Sequence, residues 1–408
     1  MKQYIFLLGR TPDLSLAELR SVFLRLSAPF KLIQQADSIA LVESIDLPIE
    51  EINKLLGGTV KIGSVIESLP LDAVSSLPQL FTHQVLFNQF FDPELKKVEF
   101  GVSIYLCGGK EMYFEQVNAI HTILTQSIKK DLENNGVKAH FPQIKDTVLS
   151  SASVDKNRLI RKGAEILIIV TQDQILVGKT HAVQEFESFS KRDFARPVRD
   201  MKSGVMPPKL ARMMINIAQV LPKHTLLDPF CGSGTMVQEA LALGYTKIIA
   251  TDKSEKAVRD TQKNTDWYRE RINPESLNAD VDIRHVDVKK ISNVLEPNSI
   301  DAIITEPYLG PTLRKRLNPK QIAYAFGELS DLYSSAWKQF HAVLVPGGRV
   351  VMILPAFQTS RTEYMPILET IEKLGFQQEV LSGGKRKSIL VGNHRDYVQR
   401  EIIKFVKI

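Results

Sequence analysis

Cysteine is nearly absent from this 408-residue chain: Cys107 and Cys231 are the only two, and they form no Cys-x-x-Cys pair. A disulfide framework and a cysteine zinc site are both excluded. The eight histidines show no metal-ligand spacing, so no metal is expected. Long apolar runs are missing as well. The run Tyr4–Leu8 stops at Gly9-Arg10-Thr11-Pro12, too short for a signal-peptide core, and no later run approaches the roughly 20 residues of a membrane span. A soluble, cytoplasmic protein is the expectation, without a membrane partner and with a monomer favoured.

What is present is ordinary globular material, 44% hydrophobic and 24% charged, long enough for roughly two to four domains. The net charge of +6 fits a polyanionic partner. Its distribution says more. Seven Lys or Arg face two acids between Lys191 and Arg212; Arg314-Lys315-Arg316 and Lys320 follow Pro311 with no acid between; Lys385-Arg386-Lys387 adds a third cluster. Each alone reads as a solvated loop, whereas three together point toward nucleic acid.

The chain divides by pattern. "YIFLLG" reads as a strand, and "SLAELRSVFLRL" as a helix opened by a capping box of Ser15 and Glu18. "SIALVES" is a strand, "PIEEINKLLGG" a helix starting on Pro48 and stopped by Gly57-Gly58, and "TVKIGSVIES" another strand, closing a small α/β module near Pro70. A second module has the strand "VEFGVSIYLC", one long helix from Met112 to Glu133 closed by Asn134-Asn135-Gly136, and a strand pair in "EILIIVTQDQILVGKTHAV". It shows no nucleophile, metal cluster or phosphate loop, so it binds or supports. Ser188 to Pro208, basic and proline-bearing, reads as a connector.

Chemistry is legible in the third module. In "HTLLDPFCGSGTMVQEALALG" a short strand runs through Asp228 and a Gly232-Ser233-Gly234 turn into a helix closed by Gly244. Such a turn lets a ligand press against backbone, beside the unpaired N–H groups of a helix start. A dinucleotide fingerprint would need Gly or Ala three residues after Gly234, where Val237 stands, and a Gly-Lys-Ser/Thr phosphate loop is absent. Asp252 ends the next strand, "KIIATD", where a carboxylate can accept both hydrogens of a ribose diol; Asp287, after "VDIRHVD", is placed for an adenine amine; Asp228 can take an ammonium. Singly, each acid also reads as a cap or turn residue. As a set they suit a cationic ligand with ribose and adenine and no phosphate, which describes S-adenosylmethionine. "LVPGGRVVMILP" then gives a strand, "EYMPILETIEKLGF" a helix stopped by Gly375, and "REIIKFVKI" a C-terminal strand, the pattern of a doubly wound sheet.

Asp228-Pro-Phe-Cys-Gly-Ser-Gly-Thr235 resembles the first motif of class I methyltransferases. With "MPPKLARMMINIA" before it and Pro307-Tyr308 after it, the layout resembles the archaeal and eukaryotic THUMP-containing tRNA guanosine-N2 methyltransferases. That resemblance implies an α/β protein with a ferredoxin-like region at 1–72, a THUMP-like RNA-binding domain at 73–187, a linker at 188–204 and a Rossmann-like S-adenosylmethionine-dependent methyltransferase domain at 205–408. It implies cofactor contacts at Asp228, Phe230, Gly232, Gly234, Thr235, Asp252, Lys253, Asp287 and Val288. It implies tRNA as partner, gripped by the THUMP domain, with a guanosine near the junction of D-arm and acceptor stem, such as position 10, as target. Arg196, Arg199, Lys209, Arg314, Lys315, Arg316, Lys385 and Arg386 are candidate RNA contacts; Arg196 and Arg199 read equally as interdomain ion-pair residues.

The catalytic loop of such enzymes reads Asp, Asn or Ser, then Pro-Pro, then an aromatic. Here it reads Thr305-Glu306-Pro307-Tyr308. Tyr308 can stack on a flipped base, and the Thr305 and Pro307 carbonyls can accept from its amine. Guanine's Watson–Crick edge offers N1–H and the N2 amine side by side, which the Glu306 carboxylate matches; adenine and cytosine place an acceptor there instead. Glu306 also reads as a loop carboxylate paired with Arg314 or Arg316. Cytosine-C5 methylation would need a cysteine nucleophile at the base, but Cys231 lies in the cofactor turn and Cys107 in the second module, and no lysine-centred base for ribose methylation is readable. A DNA or protein-amide methyltransferase, and a tRNA-binding protein without catalysis, are the alternatives.

Overall fold

Apolar runs in the first half of the chain assemble one mixed sheet, and those in the second half another. The computed structural model describes residues 1–408 apart from 143–145, 200–205, 312, 314, 383–385 and 393–395. Contacts divide the chain into two units. The first comprises Met1–Pro12, Leu26–Lys54 and Gly58–Phe186; the second comprises Asp13–Arg25, Leu55–Gly57 and Glu187–Ile408.

The first unit holds β1 (Lys2–Leu8), β2 (Lys31–Ala36), β3 (Ile39–Ser44), β4 (Thr59–Pro70), β5 (Lys97–Leu106), β6 (Lys138–His140), β7 (Gly163–Val170) and β8 (Gln174–Val183), in the order β2-β3-β1-β4-β8-β7-β5-β6. β4 pairs antiparallel with both β1 and β8, so the expected modules 1–72 and 73–187 share a single sheet across their boundary. All eight residues of β7 are buried, Glu165 among them, as a strand in a sheet covered on both faces requires. Against it pack Leu124, Ile128 and Leu132, spaced four apart on the helix His121–Asn134. The single helix expected from Met112 to Glu133 is two, Glu111–Ala119 and His121–Asn134, divided at Ile120. The division falls where the His121 ring meets the Val102 carbonyl at 3.1 Å.

In the second unit β9 (Thr225–Asp228), β10 (Lys247–Asp252), β11 (Asp280–His285), β12 (Ile300–Thr305) and β13 (Leu344–Gln358) run parallel in the order β11-β10-β9-β12-β13. β17 (Val398–Lys407) lies antiparallel between β13 and β15 (Phe376–Gln378), while β14 (Thr362–Tyr364) pairs with β13 and β16 (Ile389–Val391) with β17. Chain order reverses between β9 and β12, and the crevice at such a switch point is where doubly wound sheets bind ligands.

Three helices absent from the sequence reading cover this sheet. Pro208–Ile217 and Glu255–Arg271 join Thr235–Ala242 over one core cluster, and Pro319–Val343 covers the other. The last opens with a capping box in which Asn318 and Gln321 bond each other's backbone. The helix expected over Glu363–Phe376 is only Leu368–Lys373, because Thr362–Tyr364 extend the sheet and Pro366 cannot continue a helix from them. The expected connector 188–204 begins as helix, Phe186–Phe194.

The helix Pro12–Arg25 corrects another expectation. It starts at Pro12, a favoured first helical residue, and Ser15 is buried within it instead of capping it. Glu18 accepts from Gly57 N (2.8 Å) and Asn216 Nδ2 (2.7 Å), all three within the second unit.

Candidate cofactor and base site

Two strand ends meet at the switch point. Thr305, last in β12, donates its Oγ1 to Oδ1 of Asp228, last in β9, at 2.7 Å; Phe230 N donates to the same oxygen at 3.2 Å. Asp228 is only 5% exposed. Burial pushes its carboxyl up to about 7; the two hydrogen bonds oppose that rise, and the charges of Asp252 and Glu306 add to it. A buried carboxylate held so close to neutrality is poised to gain from a cationic partner. The Thr305 hydroxyl hydrogen is committed to Asp228.

The glycine turn follows. Gly232 and Gly234 adopt positive φ, 54° and 82°. At Gly234 a Cβ would lie 2.9 Å from Thr261 Cγ2 and 3.2 Å from its Cα, so conformation and space both demand glycine. Asp252 bonds the turn, accepting from Gly232 N at 3.1 Å and from Ser254 N at 2.8 Å. One lone pair on each oxygen remains for a ribose diol. Asp287 caps its own turn, accepting from Lys289 N at 2.9 Å; beside it Val288 is buried, Lys253 exposed, and Phe230 half-buried against the second core cluster. The Cys231 thiol is buried, which raises its pKa and removes it as a nucleophile.

Asn264 escaped the sequence reading. Its Nδ2 donates to Ser233 O (2.8 Å) and Val198 O (2.9 Å), and its Oδ1 accepts from Val198 N (2.9 Å), strapping the segment around Val198 to the glycine turn. The one signal for it is its place three residues after Thr261, on the same helix face. The strap explains a correction. Arg196 is 4% exposed, with Nη1 donating to Thr235 Oγ1 at 2.7 Å, so it has no surface to offer an RNA phosphate.

At the base loop Glu306 pairs with Arg400 of β17, Nε to Oε1 at 2.6 Å. Of the expected partners, Arg314 lies outside the described residues and Arg316 is exposed. Arg400 went unnoticed because 94 residues separate the partners. Pro307 is buried, and Tyr308 is 57% exposed, its carbonyl accepting from Tyr333 Oη at 2.7 Å. Buried framework carrying an exposed ring suits stacking on a base.

The remaining basic candidates differ. Lys315 is exposed, and Lys385 lies outside the described residues. Arg199 pairs with Asp193 at 3.3 Å and covers the Phe194 ring at 4.7 Å, while Lys209 lies 5.4 Å from the Phe189 ring centre. Arg386 is taken by Glu401 and the Tyr364 ring.

Residues 196–365 match the UPF0020 family, an RMKL-like methyltransferase domain. Fold, glycine turn and family match together define the second unit as a class I, S-adenosylmethionine-dependent methyltransferase domain. Among curated relatives, the tRNA (guanine(10)-N2)-dimethyltransferase of Methanothermobacter thermautotrophicus is 24% identical over 358 residues, 88% of this chain and 90% of its own. The tRNA (guanine(10)-N(2))-methyltransferase TRMT11 of Xenopus laevis is 24% identical over 440 residues, covering 98% and 86%. The crystal structure of TrmN from Thermus thermophilus shares the fold across 100% of both chains, with a TM-score of 0.55 at 16% identity. That of SMU.472 complexed with SAH does so across 100% of this chain and 99% of its own, with a TM-score of 0.51 at 14% identity.

Proposed function

We propose that the protein methylates the exocyclic N2 amine of a guanosine in tRNA, near the junction of D-arm and acceptor stem, such as position 10. The observation that carries this reading is the Glu306 carboxylate, fixed by Arg400 and adjacent in sequence to the Pro307-Tyr308 platform at the end of β12. The names of the relatives above agree with it.

S-adenosylmethionine supplies an electrophilic methyl group on its sulfonium. Asp252 binds the ribose hydroxyls and Asp228 the ammonium. Tyr308 stacks on the flipped guanine. Glu306 accepts from N1–H and N2–H, a pair of donors that adenine and cytosine lack, and it is the carboxylate at hand for the proton the amine sheds. The Thr305 carbonyl offers a further acceptor.

The first unit takes the RNA-gripping role of a THUMP-like domain. A cleft of about 310 Å³ in that unit, lined by Lys156, Arg158 and Arg161 against the single acid Asp155, supports this assignment. The test is incubation with S-adenosylmethionine and unmodified tRNA transcripts, digestion to nucleosides, and mass spectrometry. N2-methylguanosine is expected. Methyladenosine or methylcytidine alone, or no methylated nucleoside from protein that binds cofactor and tRNA, overturns the reading.

A further inference from the structure

Tyr333 is a core residue whose hydroxyl serves the base loop. It lies in the helix Pro319–Val343, is 0% exposed, and belongs to the second core cluster with Leu329, Ala336 and Trp337. Packing alone would be served by phenylalanine, because a buried hydroxyl without a partner is costly. The partner lies 25 residues away in the chain: Tyr333 Oη donates to the Tyr308 carbonyl at 2.7 Å. Burial, reinforced by the charge of Glu306, pushes the phenol's pKa up, so the group stays a donor.

The loop is restrained on either side of that bond. Glu306 is paired with Arg400 at 2.6 Å, and Pro307 is buried with its φ fixed by its ring. Gly310 turns the chain away with φ of 98°, a conformation that favours glycine. Between these restraints, the direction of the Tyr308 side chain depends on its own backbone torsions, and the Tyr333 bond fixes the peptide plane that follows them. The ring is left 57% exposed on an anchored main chain. We propose that Tyr333 is a positioning residue: by holding the Tyr308 carbonyl inward it keeps the Tyr308 ring turned outward as a ready platform for the flipped base. It acts through Tyr308 and touches neither cofactor nor base. Loop ordering is thereby met during folding instead of at each encounter with RNA. The inference rests on the guanosine-methyltransferase reading above and adds how its stacking ring is held.

A double-mutant cycle tests it, with kcat/KM for methyl transfer to unmodified tRNA measured in the native protein, Tyr333→Phe, Tyr308→Ala and the double variant. Tyr333→Phe is expected to lose roughly 3- to 10-fold, the scale of one hydrogen bond, with S-adenosylhomocysteine affinity by calorimetry unchanged. In the Tyr308→Ala background the same substitution is expected to cost nothing further, because the ring it serves is gone. No loss in the native background, or an equal loss in both backgrounds, overturns the inference while leaving the methyltransferase reading intact. A parallel fall in cofactor affinity overturns it too, since that marks a role in holding the domain together. Should Tyr333→Phe not fold, an ester in place of the Tyr308–Leu309 peptide bond weakens the same acceptor with every side chain in place, and the same loss and the same coupling to Tyr308→Ala are expected. Native protein that binds tRNA and S-adenosylmethionine yet forms no methylguanosine overturns the functional reading itself.

Discussion

Buried charge is handled in two ways: closed clusters occur in both units, Lys61 with Glu165 in the first and Glu239 with Arg192 and Arg212 in the second, while the second also holds an open one. In the first, Lys61 and Glu165 are 2% and 0% exposed and close on themselves: Lys61 Nζ bonds Glu165 and Leu149 O, while Ser103 and Thr180 donate to the two Glu165 oxygens at 2.6 and 2.7 Å. In the second, Asp228 and Arg196 are nearly as buried, yet two Arg196 nitrogens have no partner among the described residues and the Asp228 carboxyl is driven close to neutrality. A closed cluster is what a fold requires of buried charge; an open one is what a ligand requires. The contrast separates structural from functional ionisable groups without reference to any motif.

Removing one partner of the closed cluster should have the largest effect. Glu165→Ala leaves Lys61 buried and unpaired, and a loss of about 3–5 kcal/mol in urea denaturation is expected. Burial already lowers the Lys61 pKa, with Glu165 opposing, so in the variant the pKa falls further. A lowered lysine pKa means the folded state sheds its proton first, and the destabilisation should shrink as pH rises from 7 toward 9. A loss below about 1 kcal/mol at pH 7 would break the contrast.

The open cluster should respond with the other sign. The Asp228 pKa is raised from 3.8 to about 7, so its contribution to stability is fully present below pH 4 and lost as pH rises through 7. Asp228→Asn should therefore stabilise the ligand-free protein at pH 8, by on the order of 2 kcal/mol, and change little at pH 4. Native affinity for S-adenosylhomocysteine should fall as pH drops below about 7, by up to tenfold per pH unit, while the variant binds weakly throughout. A variant less stable at pH 8, or a flat native profile between pH 6 and 8, would refute the functional reading of this carboxylate.

How much of this was legible depends on the range of each interaction. The turn from Asp228 to Thr235 was readable because glycine at two near-adjacent positions reports backbone conformation locally. The doubly wound class was readable from the strand and helix signals, whereas the strand order and three of the covering helices come from the structure. What escaped is held by partners far apart in the chain. Arg400 looks like any strand cation until Glu306 is opposite it, and Asn264 like any helix amide. Arg196 was misread because exposure, unlike charge, is a property of packing: a basic run suggests solvent, but Arg192, Arg196 and Arg212 within it are all buried. Ser15 was misread for a related reason, since a plausible cap lost to the proline three residues earlier.

Within the second unit the contrast can be sharpened at the base loop, where an exposed group replaces buried ones. Tyr308→Ala removes the stacking ring without disturbing buried contacts. It should cost about 2 kcal/mol in kcat/KM toward tRNA, a loss of roughly 30-fold, and leave S-adenosylhomocysteine affinity unchanged. A matching loss of cofactor affinity would show that the ring serves the cofactor instead.

The smallest effect is expected at Arg400, which touches neither ligand and acts by holding Glu306. The pair is partly exposed, with side chains 33% and 16% accessible, so its removal should cost only about 1 kcal/mol in kcat/KM, with Arg400→Lys recovering part. Base selectivity is the decisive readout. A tRNA carrying 2-aminopurine at the target keeps the amine but replaces guanine's N1–H with an acceptor, which an ionised Glu306 repels. Native enzyme should therefore discriminate strongly against it, Arg400→Ala less so, and Glu306→Gln least, because the amide can donate to that acceptor. Equal discrimination in all three proteins would remove Glu306 as the reader of guanine and leave the Glu306–Arg400 pair as a loop brace of the same closed kind as Lys61 and Glu165.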